Sequence, residues 1–169
     1  MRRSMFAAVL TATVALAAAT GASAANAPSP SYQVAGIALG TQQGSTTLLS
    51  GTATGSAGDR AFWRATLATD PLDGCSTVGS TCAVTGGTLS LTSRNGAQLT
   101  GNFDVGNVTL TAQAPGCGRE QYAVNAYVTT TAGELNLSAV VTQYRVSFRG
   151  RCFAFGATVQ GSLAFFNGA

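Results

Sequence analysis

The most reactive side chains in this sequence are four cysteines, Cys75, Cys82, Cys117 and Cys152. Thiolates ligate zinc, attack electrophiles or oxidise to disulfides, and spacing separates these uses. A structural zinc site needs closely spaced ligand pairs, commonly with His, whereas six residues lie between Cys75 and Cys82 and the chain has no His. Disulfides are therefore the expected use, with no metal and no other cofactor. Four cysteines allow three pairings. Cys75 and Cys82 lie close together in a Gly/Ser/Thr loop, and Cys117 and Cys152 flank the same end of the predicted meander, which favours those two pairs; the sequence alone does not close the choice. In the expected register Cys117 and Cys152 sit two strands apart, about 9.6 Å, beyond the roughly 6.8 Å limit of bridged Cα atoms. The Pro115-Gly116-Cys117-Gly118 loop must curl over the rim to reach Cys152.

Catalysis has little to work with. There is neither His nor Lys, so general-base work falls to Asp59, Asp70, Asp73, Asp104, Glu120 and Glu134, most of them in turn-like stretches. No Gly-x-Ser-x-Gly run activates a hydroxyl, and the chain reads as a non-enzyme. Arg119, Arg145, Arg149 and Arg151 fall near one end of the predicted sheet, where they suit bidentate capture of a carboxylate, sulfate or phosphate. The plainer reading is a solvated turn that protects strand ends from edge pairing. Asp70-Pro71-Leu72-Asp73-Gly74 offers two carboxylates to Ca²⁺, few for such a site, and Asp in a turn also bonds its own backbone. Trp63, between Phe62 and Arg64, either lines a pocket or packs in the core, and a lone Trp in a β domain favours the core.

Residues 1–24 combine Arg2 and Arg3, an apolar run from Phe6 to Ala19 and Ala22-Ser23-Ala24, the pattern of a secretory signal cleaved near Ala24. The run is short for a transmembrane helix, and no second candidate follows. Residues 25–31 read as an extended leader and 32–169 as a single all-β domain, of a length that supports one core. Of the formal charge of +3, Arg2 and Arg3 supply two, leaving +1 for the exported chain. Such a balance provides no footprint for nucleic acid.

The elements that position these residues are strands, because apolar side chains recur with period two and no stretch holds a helical period. The stretch from Glu134 to Phe166 reads as one long hairpin about Arg149-Gly150, with Phe148 opposite Arg151, Val146 opposite Phe153 and Tyr144 opposite Phe155, all on one face. On its first arm the apolar phase switches near Thr142-Gln143. A β-bulge there sets Val141 near Ala157, Ala139 near Val159 and Leu135 near Leu163. Upstream, Tyr32 to Leu39, Thr46 to Thr54 and Arg60 to Thr69 form three strands. A three-residue loop Arg94-Asn95-Gly96 sets Leu89 and Leu91 against Gly101 and Leu99. Gly106-Asn107 is read as the next turn, and Ala132-Gly133 as the turn into the long hairpin, with Tyr122, Val124, Ala126 and Val128 on one face between them. The result is an antiparallel meander of eight or nine strands, a closed up-and-down barrel of the calycin or avidin-like kind, with a two-sheet sandwich as the alternative.

The run Gly96-Ala97-Gln98-Leu99-Thr100-Gly101-Asn102-Phe103, with Gly106-Asn107 after it, is similar to a hairpin of the avidin and streptavidin barrels. The resemblance covers those residues alone and implies a closed barrel. Those barrels surround biotin with several Trp, whereas Trp63 is the single Trp of this chain, so biotin is not the expected ligand.

Three functions remain open on the sequence. The leading one is a secreted, non-enzymatic barrel that holds a small hydrophobic ligand at one mouth, where Gly101, Ala126, Ala139, Ala157 and Gly161 leave space or else pack closely. The second is a cell-surface interaction protein or secreted inhibitor acting through its loops. The third is an outer-membrane barrel with its apolar face towards lipid.

Overall fold

The computed structural model describes residues 31–40, 46–70 and 75–166. Residues 1–24, read as a secretory signal, the expected leader apart from Ser31, and Pro71 to Gly74 lie outside the described residues. Eight antiparallel strands follow in chain order: β1 (Ser31–Gly40), β2 (Thr46–Gly55), β3 (Arg60–Thr69), β4 (Thr81–Ser93), β5 (Gln98–Gln113), β6 (Glu120–Thr130), β7 (Gly133–Phe148) and β8 (Arg151–Phe165). Each pairs with the next, and β8 closes on β1. This is the up-and-down barrel, not the sandwich, and closure leaves no strand edge in the wall.

Strict alternation makes the wall. Val34, Leu49, Trp63, Leu89, Leu91, Phe103, Val128, Leu135, Leu137 and Leu163 point inward and are buried. Thr52, Thr100, Asn102, Asn107, Asn125 and Ser138 point outward and are exposed. The inside is apolar, and the outside mixes these hydroxyls and amides with the exposed side chains of Ile37, Phe62, Val105, Tyr127 and Val140. Among the described residues no helix is long and apolar enough to cross a membrane.

An eight-stranded barrel is just wide enough for side chains to fill. Trp63 is 1% exposed, the core position expected of it. Its indole crosses β2 to donate Nε1–H to the Ala35 carbonyl oxygen of β1 at 3.2 Å. The crossing is at Gly51, which pairs with Trp63 on one side and with Gly36 on the other. Only glycine fits here, since a Cβ on Gly51 would lie 1.9 Å from the Ala35 oxygen. The small residues on the far wall serve close packing as well. A Cβ on Gly161 would meet Ser138 O at 2.3 Å, and Ala126 has no exposed surface.

Three readings of register are corrected. Gly106-Asn107 is not a turn: β5 runs through it, and the register shifts between Phe103 and Val105 leave Asp104 as a bulge. The bulge moves the inward phase from odd Phe103 to even Val108 and Leu110, the same switch a turn would produce. The strand count is therefore eight. The turn into β7 is Thr131-Ala132, one residue earlier than expected, because Thr130 already pairs with Gly133. In the long hairpin the turn is where it was read, with Arg149 and Gly150 at φ of 50° and 75°. The bulge, however, is Phe155 on the second arm, so Val141 pairs with Val159, Ala139 with Gly161 and Leu135 with Phe165. The odd, inward phase of β7 continues through Arg145 and Ser147, which turns Tyr144, Val146 and Phe148 to the outside with Phe153 and Phe155. Pairing of β6 with β7 ends at Gln143 and pairing of β1 with β8 ends at Ala157, so no third strand lies beside these aromatics to form a core.

Both expected disulfides are present, Cys75–Cys82 and Cys117–Cys152, with Cα atoms 5.4 and 5.3 Å apart. Cys82 belongs to β4 and points inward, whereas the sequence suggested a loop. The Cys117 loop makes the predicted curl over the rim. The two bridges close segments of unequal separation, 7 and 35 residues. Chain entropy therefore predicts that replacing Cys117 and Cys152 with Ser lowers unfolding stability by about 4 kcal/mol, against about 2 kcal/mol for Cys75 and Cys82. Urea unfolding of the two double variants measures the difference; equal losses would contradict it.

Candidate functional site

The two ends of the barrel are built differently. At one end lie both disulfides and a polar network around one buried carboxylate. Glu120, at the start of β6, faces inward and is 5% exposed. A buried carboxylate is tolerated only when paired and hydrogen-bonded, and Glu120 is both. Arg145 Nη1 pairs with Oε1, Gln113 Nε2 donates to Oε1 at 2.9 Å, and Tyr122 Oη donates to Oε2 at 2.8 Å. A second bulge in β5, at Thr111, sets Gln113 opposite Glu120, and pairing of the adjacent strands β5, β6 and β7 brings all four side chains together. Burial, then the hydrogen bond and charge of Glu120, hold the Tyr122 phenol above its ordinary value, with Arg145 opposing them.

At the other end the turns Gly55–Asp59, Arg94–Ala97 and Thr131-Ala132 surround an open mouth. A half-enclosed cavity of about 550 Å³ lies between them. Its deeper wall is Tyr32, Ala61, Leu91 and Leu99, continuous with the core; its rim carries Asp59, Arg60, Arg94 and Asn95. The rim is braced locally. Ser93 N and Oγ donate to Ala97 O at 2.9 and 3.0 Å, Gly96 takes φ of 85°, and Arg94 N donates to Arg60 O at 3.3 Å. That last bond ties the Arg94 turn to the start of β3. The volume falls in the range of small-molecule sites, and apolar walls with a few polar groups are their usual lining. A larger depression, about 850 Å³, lies on the outer wall beside Phe62 and Arg64. It is a shallow saddle over the Gly36 and Gly51 crossing, without converging turns, and is the weaker candidate.

The arginines singled out in the sequence all lie at the disulfide end, in unequal states. Arg145 is inside, engaged by Glu120, while Arg119, Arg149 and Arg151 are exposed. Asp70 donates its backbone N–H to Ala83 O at 2.9 Å; Asp73, the second carboxylate of the suggested calcium turn, lies outside the described residues. Among the described residues no cluster of His, Cys, Asp and Glu could hold a metal ion. Sequence reasoning missed Arg60 and Arg94 as a pair, and missed the Glu120 network. Their members come from neighbouring elements, β3 and the turn after β4 for the arginines and β5, β6 and β7 for the network, and the bulge at Thr111 hides the second from a period-two pattern. No family model, curated protein or solved structure matches the chain.

The raised Tyr122 phenol has a consequence for alkaline stability. The folded state keeps this proton where the unfolded chain releases it, so stability is full below the ordinary phenol value of 10.0 and falls as pH rises above it. Unfolding measured from pH about 8 to 11 is expected to show this fall, and Tyr122→Phe is expected to flatten it. An unchanged slope in the variant would separate Tyr122 from the effect.

Proposed function

We propose that this chain is a non-catalytic binding barrel of an oxidising compartment, whose open mouth takes a small molecule with an apolar body and an anionic group. The observation that carries the reading is the mouth cavity itself, where Leu91, Leu99 and Tyr32 continue the core up to a rim bearing Arg60 and Arg94. The apolar wall favours a hydrophobic body through area removed from water. The guanidinium pair favours a carboxylate or sulfonate at the entrance, where a charge keeps part of its hydration. Export is supported by the leader pattern of residues 1–24 and by two disulfides, which persist in oxidising surroundings. The absence of His and Lys from the sequence supports a binding role over a catalytic one.

Calorimetric titration with decanoate and with anilinonaphthalene sulfonate tests the reading. Saturable binding of one of them is expected, weakened by on the order of tenfold in Arg94→Ser. Ala97→Trp, which places a large ring at the exposed rim, should block the mouth and abolish it. No saturable heat with either probe, or equal affinity in both variants, overturns the proposal.

A further inference from the structure

Beyond the last pairings of β6 with β7 and of β1 with β8, residues 144–156 form a two-stranded ribbon that stands clear of the barrel by roughly 15 Å. We propose that this ribbon docks the protein on an anionic lipid bilayer, its aromatic face entering the headgroup region and Arg149 and Arg151 meeting lipid phosphates. The inference is independent of the mouth reading, which concerns the opposite end.

The two faces of the ribbon differ. The inner face carries Arg145, Ser147, Cys152 and Ala154; it is held by the Glu120 pair and by the bridge to Cys117. The outer face carries Tyr144, Val146, Phe148, Phe153 and Phe155, with Phe148 60% and Phe155 69% exposed. Their rings meet one another, Phe148 with Phe153 at 6.5 Å and Tyr144 with Phe155 at 6.2 Å between centroids. An isolated hairpin is marginal in water, so this one is held from behind by its disulfide while its apolar face is left bare. A patch of this kind marks an interaction surface.

Charge selects the occupant. Residues 144–156 contain no carboxylate. Arg151 pairs across from Phe148 on the aromatic face, and the Arg149 guanidinium lies 5.4 Å from the Phe148 ring centroid. Arg119, on the loop stapled to the ribbon, adds a third exposed cation. Aromatic rings beside arginines suit the membrane interface, where rings sit at headgroup depth and cations meet anionic lipid. Arg149 also occupies a left-handed turn position with φ of 50°, which glycine or Asn would fill with less strain. A cation is kept there at some expense of stability. A second copy of the chain fits less well, because a two-fold contact of this face would bring the arginines of both copies together. Burying the exposed Thr52, Thr100, Asn102, Asn125 and Ser138 of the barrel wall would cost their hydration, so the attachment is peripheral.

Cosedimentation with vesicles tests the proposal. The wild-type chain is expected to pellet with vesicles of equal parts phosphatidylglycerol and phosphatidylcholine, less with phosphatidylcholine alone, and less as salt rises. Arg149→Gly relieves the turn and so folds at least as well, yet should bind about fivefold more weakly. Phe148→Ser combined with Phe155→Ser should lose more than about tenfold, whereas the mouth variant Ala97→Trp binds as wild type does. A Phe148→Trp variant should show a blue shift on anionic vesicles, since Trp63 is already buried. The proposal is overturned if wild type does not pellet with the anionic vesicles, or if the ribbon variants pellet equally. It is also overturned if the double Phe variant turns a dimer into a monomer while vesicle binding is absent throughout.

Discussion

Closure of the sheet, made by the pairing of β1 with β8 as well as with β2, is the constraint on which the other features depend. In an open sheet a strand can slip by one residue and exchange its two faces at an edge. In a closed ring each register must agree with the sum of the others, so the side of each residue is decided by the whole. Within the ring, the registers of β1, β2 and β3 put Trp63 across the Gly51 position, and those of β5, β6 and β7 bring Glu120, Tyr122, Gln113 and Arg145 together at one end. Where the phase of the apolar pattern fails to agree, the wall takes up the difference with bulges at Asp104 and Phe155 rather than with new turns.

The same constraint gives the molecule a direction. One end is filled by an ion pair on a buried carboxylate, its hydrogen bonds and two disulfides, all of which resist opening. The other has short turns, a cavity that continues the core, and two arginines on its rim. Binding at the open mouth need not disturb the barrel, because the rim residues sit on braced turns while the ring beneath is packed. The ribbon extends from the filled end, so attachment there leaves the mouth facing away from the attached surface. Holding a small molecule and holding a surface are thus separable in this fold.

Much of this was legible in the sequence wherever alternation ran unbroken. Leu135, Leu137, Ala139 and Val141 on one face, the pairing of Leu89 with Gly101 and Leu91 with Leu99, and the Arg149-Gly150 turn follow from period two and from turn chemistry. Of the three disulfide pairings the sequence left open, the favoured one is formed. What stayed hidden was the cause of each phase switch. A bulge and a turn leave the same mark on a one-dimensional pattern, so Gly106-Asn107 looked like a turn and the Tyr144 to Phe155 aromatics looked like core. Their exposure becomes visible only when β6 and β1 are seen to end before them. The mouth was hidden for a related reason: Asp59, Arg60, Arg94 and Thr131 belong to three turns with no local sign of a shared site.

The central claim is that the mouth is a binding site and not an incidental gap between turns. Native, non-reducing mass spectrometry of the protein from its natural source tests this most directly. The account predicts an added mass that leaves on denaturation and is missing when Ala97→Trp is prepared in the same way. A bare chain, lighter only by the hydrogens lost in forming two disulfides, would contradict it.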